Sequence, residues 1–221
     1  MDEHAPIAPV SAYAISKFDA ETALLNLEDQ TFCPIMLRNA TAYGASPRMR
    51  LDLVLSNLIA SGYATGSIKV LSDGTPWRPM VHIEDISRAA VAAIGAEQGL
   101  LKHRVFNIGA PGCNYTVREI AEIAASVLPE CSIEITGEAG NDPRSYRVDF
   151  SRALEELPGF DPQWNLEKGA AQTLEWLAHH PRDLEELFGE RFIRLKRLEN
   201  LKTTGRIDNT FRWEKPSSST V

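Results

Sequence analysis

Residues 78–96, RPMVHIEDISRAAVAAIGA, place a short apolar strand directly before an alanine-rich helix. The strand RPMVHI is predicted to be short or to lie at the edge of a sheet, because Pro79 has no N–H to donate to a ladder. Asp85 then falls where the helix begins, and a carboxylate is favourable at that end of the helix dipole. A strand followed at once by a helix is the unit from which parallel sheets are built.

The same alternation extends outward in both directions from this unit. Strands are predicted at 34–37, 67–71, 78–83, 104–109 and 132–136. Helices are predicted at 12–27, 50–62, 84–96, 116–128, 149–160, 165–180 and, as one charged stretch, 182–203. Thr116 and Glu119 have the spacing of a capping box at the start of one of these helices. The pattern predicts an α/β fold with a largely parallel sheet.

The bulk composition excludes several classes of protein. The chain has 221 residues, of which 43% are hydrophobic and 24% charged, as in ordinary globular proteins. Its net charge of -7 argues against a general affinity for nucleic acid or for an anionic membrane, but leaves room for a local basic site that binds one phosphorylated small molecule. Three widely spaced cysteines form no metal-ligand pattern and are expected to be reduced packing residues.

The N-terminal residues do not look like a targeting segment. MDEHAPIAPV is acidic and rich in proline, and it lacks the basic start and the apolar stretch of a signal peptide. No run of residues approaches the length of about 20 apolar residues that a membrane span needs. We therefore expect a cytoplasmic protein without a membrane partner.

Tyr13 and Lys17 stand four residues apart in the predicted helix, which Ser11 is expected to cap. That spacing places the two side chains on one helix face. A phenol has an ordinary pKa near 10, and a neighbouring ammonium favours its ionised form. Such a tyrosine can remove a hydroxyl proton from a substrate while hydride leaves the same carbon. An exposed helix pair without function is the alternative.

Four segments resemble, in order and in spacing, the extended short-chain dehydrogenase/reductases, and more narrowly the nucleotide-sugar epimerases and dehydratases. The segments are SAYAISKFDAE (11–21), LRNATAYGASPR (37–48), DGTPWRPMVHIEDISRA (73–89) and RVFNIG (104–109). The resemblance covers about residues 5–178. It implies the C-terminal portion of a Rossmann-type parallel sheet with a small substrate-binding subdomain.

The resemblance also implies roles for individual residues. Tyr13 would be the catalytic acid/base, and Lys17 would assist it and hold the nicotinamide ribose of NAD. Arg78 would bind the diphosphate of a nucleotide-diphosphate sugar, which a planar guanidinium suits. Arg144 falls where the family often places another nucleotide contact. His82 is expected to be a core histidine with satisfied hydrogen bonds.

One segment departs from the family pattern. The family has an asparagine three residues after the arginine of LRNATAYG, whereas this chain has Thr41 there and Asn39 earlier. Thr41 is therefore the candidate substrate contact at this position. Asn57, in the following helix, is a further candidate on the substrate side.

The glycine-rich turn that holds the dinucleotide in the family is missing. The chain has fourteen glycines, and no two are separated by a single residue, so G-x-G does not occur. GAPG at 109–112 lies between a predicted strand and a predicted helix, and it is expected to be a simple strand-to-helix loop. Ser11 is wrongly spaced to replace the family's helper hydroxyl.

These observations predict three regions. Residues 1–180 form a partial epimerase/dehydratase domain whose N-terminal dinucleotide-binding half is absent, 181–213 form a helical appendage, and 214–221 form a disordered tail. The chain is expected to be an NAD-dependent nucleotide-sugar epimerase or dehydratase that is inactive alone and needs an N-terminal complementing chain or segment. A non-catalytic remnant or assembly module, a homodimer, and a nucleotide-sugar ketoreductase remain alternatives.

Overall fold

The computed structural model describes residues 1–97, 101, 103–137 and 145–214. Its helices are α1 (Ala12–Leu25), α2 (Val54–Thr65), α3 (Ile83–Gly95), α4 (Val117–Ser126), α5 (Ser151–Glu156), α6 (Leu166–Leu177), α7 (Leu184–Leu187) and α8 (Arg194–Thr203). Its strands are β1 (Met36–Asn39), β2 (Thr41–Tyr43), β3 (Ser67–Val70), β4 (Trp77–His82), β5 (Val105–Ile108), β6 (Asn114–Thr116) and β7 (Ser132–Ile135). Within these ranges no helix is both long and apolar enough to cross a bilayer.

The strands form three short ladders, and most of their pairings are parallel. β1 pairs with β5, β2 with β4, and β3 with β7, each in parallel. β6 adds an antiparallel pairing on the other side of β4. The predicted α/β fold with parallel strands is confirmed, although the parallel pairs do not join into one ladder in the described residues.

The strand β4 is central in its sheet, so the suggestion that it lies at an edge was wrong. The N–H of Met80 donates to the Cys113 carbonyl on the β6 side. Successive N–H groups point to opposite sides, so the missing N–H of Pro79 faces β2. Pairing with β2 begins only at Met80, opposite Thr41, and the ladder therefore loses no hydrogen bond at the proline.

The first strand also differs from its prediction. The apolar run at 34–37 predicts a buried strand, but β1 begins at Met36, two residues later than expected, and its side chains are half-buried or exposed. Its pairing in the described residues is with β5 alone. A strand is fully buried only when other elements pack on both of its faces, and other elements pack on only part of the surface of β1.

Local helix signals predicted from the sequence are confirmed. The Ser11 hydroxyl accepts a hydrogen bond from the Ala14 N–H at 3.2 Å, and α1 begins at the next residue after this cap. Thr116 and Glu119 form both bonds of a capping box at α4. Side-chain groups at these positions satisfy N–H donors that have no partner within the helix.

The appendage is not one helix, because α7 ends and α8 begins only after a turn around Gly189. Leu187 before the turn and Phe192 after it are both buried in the main core. In one continuous helix Phe192 would follow Leu187 by five residues, or about 500° of rotation around the axis, so the two side chains would lie on different faces. The turn allows both side chains to reach the same core. The predicted tail lies, from residue 215 onward, outside the described residues.

Two hydrophobic clusters hold the elements together. The larger one unites α2, α4, α6 and the appendage, and the smaller one lies among β5, α3 and α5. Fully buried members of the larger cluster include Leu55, Ile59, Ile120, Leu166 and Leu177. Phe106, Ile108 and Ala153 are fully buried in the smaller one.

A buried carboxylate fixes the chain that enters α6. Asp85 is 1% exposed, and its two oxygens accept hydrogen bonds from the Gln163 N–H at 2.9 Å and the Trp164 N–H at 3.1 Å. Arg88 donates to the same carboxylate at 2.8 Å. The position of Asp85 in the first turn of α3 is confirmed, and its charge is compensated by three donors.

His82 continues this contact toward the loop after β2. Its ring stacks on Trp164 with centroids 3.7 Å apart, and its Nδ1 accepts a hydrogen bond from the Glu84 N–H. The proton is therefore on Nε2, which donates to Gln172 Oε1 at 2.9 Å. The same amide oxygen accepts from the Ala45 N–H. Burial lowers the pKa of His82, so the prediction of a satisfied core histidine is confirmed.

Tyr43 and Gly44 pack directly against the His82 ring. Gly44 has φ 107°, and a Cβ at this position would lie 2.2 Å from His82 Nε2, so only glycine fits. The Tyr43 ring lies edge-on to the His82 ring at 5.2 Å. Its hydroxyl is buried and has no hydrogen-bond partner among the described residues, and burial raises the pKa of Tyr43.

Replacing Tyr43 with phenylalanine is expected to stabilise the fold. Tyr43→Phe removes a buried hydroxyl that makes no hydrogen bond, so the free energy of unfolding should rise by about 1 kcal/mol in urea denaturation. Tyr115→Phe is the matched control, because that hydroxyl interacts with the Cys113 thiol and the Leu166 N–H. The control should lower the free energy of unfolding by about 1 kcal/mol. Equal losses in both variants would show that the Tyr43 hydroxyl has a partner.

Candidate functional site

The helix α1 presents Tyr13 and Lys17 together at its N-terminal end. The Lys17 ammonium lies 5.8 Å from the centroid of the Tyr13 ring, within the range of a cation–π contact. Tyr13 is 72% exposed, so its hydroxyl is accessible. The predicted pairing of these two side chains on one face is therefore present in the structure.

One charged clamp attaches α1 to the rest of the molecule. Arg38 on β1 donates from Nε to Glu21 Oε2 at 2.9 Å, and from one terminal nitrogen to the Glu3 carbonyl at 3.3 Å. The hydrogen bond with Glu21 raises the pKa of Arg38. Because Glu21 lies one turn beyond Lys17 on the same face, this clamp sets the rotation of the helix about its axis.

An open cavity of about 440 Å³ lies beside this face of α1, and we call it the Tyr13 pocket. Its walls include Tyr13, Lys17, Asn107, Tyr146 and, from the N-terminal segment, residues 1–2 and 5–9. The pocket therefore combines an accessible phenol and an ammonium with a largely apolar surround. This arrangement can transfer a proton to or from a hydroxyl group that enters the pocket.

The N-terminal segment is held in place as a wall of the pocket. The Met1 ammonium donates to the Arg147 carbonyl at 2.7 Å, and the Met1 carbonyl accepts from the Asp149 N–H. The Glu3 carboxylate accepts from the Asn107 N–H on β5 at 2.8 Å. These bonds hold residues 1–3 against residues 147–149 and the strand β5.

A second cavity, of about 430 Å³, contains three of the predicted substrate-side residues, and we call it the Arg78 pocket. Thr41 comes from β2, Asn57 from α2 and Arg78 from β4, and all three line it. The Asn57 amide donates to the Leu51 carbonyl at 3.1 Å. Arg78 donates to its neighbouring carbonyl of Trp77 at 2.9 Å. The sequence-separated residues thus converge on one space.

Tyr146 lines both pockets, so the two cavities are neighbours. The sequence did not indicate Tyr146, although it lies two positions after Arg144. Arg144 itself lies outside the described residues. The juxtaposition of the two pockets depends on long-range contacts such as the Tyr146 N–H to the Trp77 carbonyl, which no local sequence pattern indicates.

Asp52 is another residue of the Arg78 pocket that sequence reasoning missed. Arg50 donates to both of its carboxylate oxygens, at 3.0 and 2.8 Å, and these hydrogen bonds lower the pKa of Asp52. The spacing R-x-D is too common in loops to have identified this pair from the sequence.

The described residues offer no glycine-rich cradle for the pyrophosphate of a dinucleotide. GAPG at 109–112 leads into the strand β6 and only then into α4, so it is not the strand-to-helix loop that was expected. Gly109 is packed under the Phe150 ring, where a Cβ would lie 2.5 Å from the nearest ring carbon. The residues present fit the nicotinamide-ribose end of NAD at Tyr13 and Lys17, but not the rest of the dinucleotide.

Curated relatives include plant and bacterial enzymes. UDP-glucuronic acid decarboxylase 1 of Arabidopsis thaliana is 30% identical over 168 residues, which is 74% of this chain and 37% of the relative. UDP-glucuronate 4-epimerase of Thermodesulfobacterium geofontis is 26% identical over 170 residues, which is 76% of this chain and 50% of the relative. The chain therefore spans half or less of the length of these two relatives.

The structure resembles that of MoeE5 in complex with UDP-glucuronic acid and NAD. The TM-score is 0.65 at 28% identity, and the match covers 80% of this chain and 59% of MoeE5. The family model described as "NAD dependent epimerase/dehydratase family" matches residues 1–109, the region that contains Tyr13, Lys17, Thr41, Asn57 and Arg78. The chain belongs to the NAD-dependent epimerase/dehydratase family.

Proposed function

We propose that this chain supplies the acid/base and substrate-binding side of an enzyme that oxidises a sugar hydroxyl of a nucleotide-diphosphate sugar. The observation that carries the proposal is the adjacency of the Tyr13 pocket and the Arg78 pocket across Tyr146. A nucleotide-diphosphate sugar has two ends with different needs. Its diphosphate needs cations and hydrogen-bond donors, and the hydroxyl on its reacting carbon needs a proton acceptor.

The Tyr13 pocket suits the reacting sugar. The Tyr13 phenolate takes the proton of the sugar hydroxyl, and the Lys17 ammonium stabilises the negative charge of that phenolate before transfer. NAD, when bound, supplies the acceptor for the hydride that leaves the same carbon. Return of the proton from Tyr13 to the oxygen reverses the step, so an epimerase or dehydratase can use the same residue twice.

The Arg78 pocket suits the nucleotide diphosphate. The guanidinium of Arg78 offers paired N–H donors to phosphate oxygens, and Thr41 and Asn57 add neutral hydrogen-bonding groups on the other walls. The Arg50–Asp52 pair keeps the Asp52 carboxylate neutralised beside this space. UDP-glucuronic acid, which is bound in the MoeE5 structure, is the probe that this similarity suggests.

We infer that the dinucleotide cradle is supplied by residues beyond this chain. No G-x-G occurs in the 221 residues, and the chain spans only 37% to 50% of the lengths of the two relatives compared. No residue of α1 is buried, and Ile15, Leu24 and Leu27 expose apolar surface on and just after the helix. A covering half from an upstream segment or a complementing chain would bury this surface and complete a Rossmann-type sheet on the β1 side.

In this proposal residues 1–180 form the partial enzyme domain and 181–213 an appendage packed on it. The missing cradle also favours the alternative of a non-catalytic remnant. The two differ in Tyr13: a remnant has no use for its hydroxyl, whereas an enzyme loses turnover without it.

Binding of UDP-glucuronic acid should depend on Arg78. In calorimetry on the full chain, Arg78→Ala should weaken binding by about tenfold or more, equivalent to about 1.4 kcal/mol, because a charged donor to the diphosphate is lost. Arg212→Ala on the exposed C-terminal segment is the matched control and should bind as the unmodified chain does. Equal affinities of the two variants would remove Arg78 from the proposed role.

Turnover should depend on the Tyr13 hydroxyl. In a polypeptide that joins this chain to a cofactor-binding half, Tyr13→Phe should lower kcat by about 100-fold or more, because the proton acceptor is removed. Binding of UDP-glucuronic acid should stay within about twofold, which separates chemistry from binding. Tyr63→Phe, which loses only a hydrogen bond to the His180 carbonyl, serves as the control. An unchanged kcat in Tyr13→Phe would support the alternative that the chain is a non-catalytic remnant.

A further inference from the structure

A third cavity, of about 630 Å³, lies on the side of the molecule formed by the appendage, and we call it the arginine pocket. Arg48 from the loop after β2 lines one wall. Arg191, Arg194 and Arg197, from the turn before α8 and from its first turns, line the other. The three appendage arginines lie well beyond residues 1–109, the region that the family model matches.

The pocket concentrates positive charge in an acidic protein. Four arginines and Glu190 line it, which gives a net charge of about +3, whereas the whole chain carries -7. Like charges gathered around one space repel each other, and the repulsion is relieved when an anion enters the space. The arrangement therefore favours an anion of more than one charge.

Carboxylates in the described residues neutralise only part of this charge. Glu190 pairs with Arg197 at 3.2 Å, and Glu186 approaches Arg191 at 3.7 Å. The Arg48 and Arg194 guanidinium groups make no hydrogen bond or ion pair within the described part of the chain. Arg194 acts on Asp52 only through its charge, which contributes to the lowered pKa of that carboxyl. Two guanidinium groups thus keep their donors available to a ligand.

The N-terminal end of α8 adds to the same positive potential. No side chain caps this helix, because the residue at the cap position is Ile193. The first backbone N–H groups of α8 therefore have neither an intrahelical nor a side-chain acceptor, and the positive end of the helix dipole is at the pocket wall. Arg194 and Arg197 lie in the first and second turns of this helix.

Packed aromatic rings form the floor of the pocket. Phe192 is buried in the main core, and the Trp176 ring meets it edge-on at 5.4 Å. The ring of His180 stacks on that of Trp176 with centroids 3.9 Å apart. Side chains that are already ordered lose little conformational entropy when a ligand binds, so the floor is organised before binding.

The arginine pocket is distinct from the Arg78 pocket. Residues 46–49 line the first, and residues 52–54 line the second. Between them the Leu51 N–H donates to the Phe192 carbonyl, and Leu51 is fully buried. A ligand in one pocket is therefore separated from the other by packed chain.

We propose that the arginine pocket binds a small anion that carries a terminal phosphate, such as pyrophosphate or a nucleoside diphosphate. Guanidinium groups match phosphate oxygens in geometry and charge, and a terminal phosphate provides the multiple charges that the pocket favours. The volume accommodates a nucleotide. This site is independent of the proposed enzymatic function, because it uses none of the residues of the Tyr13 pocket or the Arg78 pocket.

The test is calorimetric titration of the full chain with inorganic pyrophosphate at low ionic strength. The double variant Arg194→Ala/Arg197→Ala should weaken pyrophosphate binding by about tenfold or more, because two guanidinium groups are removed from one wall of the pocket. Lys196→Ala is the matched control, because Lys196 has the same charge on the same helix but does not line the pocket. It should bind within about twofold of the unmodified chain.

Two further variants separate a loss of pyrophosphate binding in this pocket from unfolding and from binding in the Arg78 pocket. Arg48→Ala changes the opposite wall and should weaken pyrophosphate binding by about threefold or more, even if the double variant is unfolded by circular dichroism. Repeating each titration in the Arg78→Ala background removes any contribution from pyrophosphate bound in the Arg78 pocket, and the differences between the arginine-pocket variants should persist there. Absence of pyrophosphate binding by the unmodified chain, or equal binding by Lys196→Ala and both pocket variants, would overturn the proposal.

A parallel titration with ADP identifies the source of the phosphate. Tighter binding of ADP than of pyrophosphate would assign the pocket to a nucleotide, with the base on the Trp176 side. Equal or weaker binding of ADP would assign it to the phosphate group alone. Either result supports an anion site at the four arginines.

Discussion

The hydrogen bonds that Asp85 accepts from the Gln163 and Trp164 backbone determine how the two halves of the core meet. They bring the Trp164 ring onto His82 at the end of β4. His82 in turn holds Gln172 on α6, and Gln172 holds the backbone of the loop after β2. A buried charge with three donors is costly to disturb, so this chain of contacts is a fixed frame for the loops around it.

The Arg78 pocket and the arginine pocket both border that frame. The loop after β2, held at Ala45, continues through 46–49 in the arginine pocket and reaches 52–54 in the Arg78 pocket. By contrast, α1 lies outside the frame and is attached through the Arg38–Glu21 pair. The catalytic candidates therefore stand on a helix with no buried residue, whereas Asn57 and Arg78 stand on elements that contain several buried residues.

Local rules predicted the local features well. The Ser11 cap, the Thr116–Glu119 capping box and the Tyr13–Lys17 face each depend on residues within four positions, and each is present. The strand at 78–83 was predicted, but its central place in the sheet was not, because that depends on where β2 begins to pair. The three-residue strands β2 and β6 are too short to show a periodic pattern.

The candidate site was predictable in its residues but not in its layout. The resemblance to a family indicated Thr41, Asn57 and Arg78, yet nothing in the sequence showed that they line one cavity. Tyr146 and Asp52 were missed because their roles come from contacts between distant segments. The arginine pocket was missed for the same reason, since Arg48 and Arg194 are separated by most of the chain.

A crystal structure of this chain with UDP-glucuronic acid would test most directly whether the two adjacent pockets form one substrate site. The diphosphate should lie in the Arg78 pocket within about 3 Å of the Arg78 guanidinium. The sugar should extend past Tyr146 toward Tyr13, with a hydroxyl within reach of the Tyr13 oxygen. A diphosphate bound elsewhere, or a sugar that points away from Tyr13, would contradict this assignment of the site.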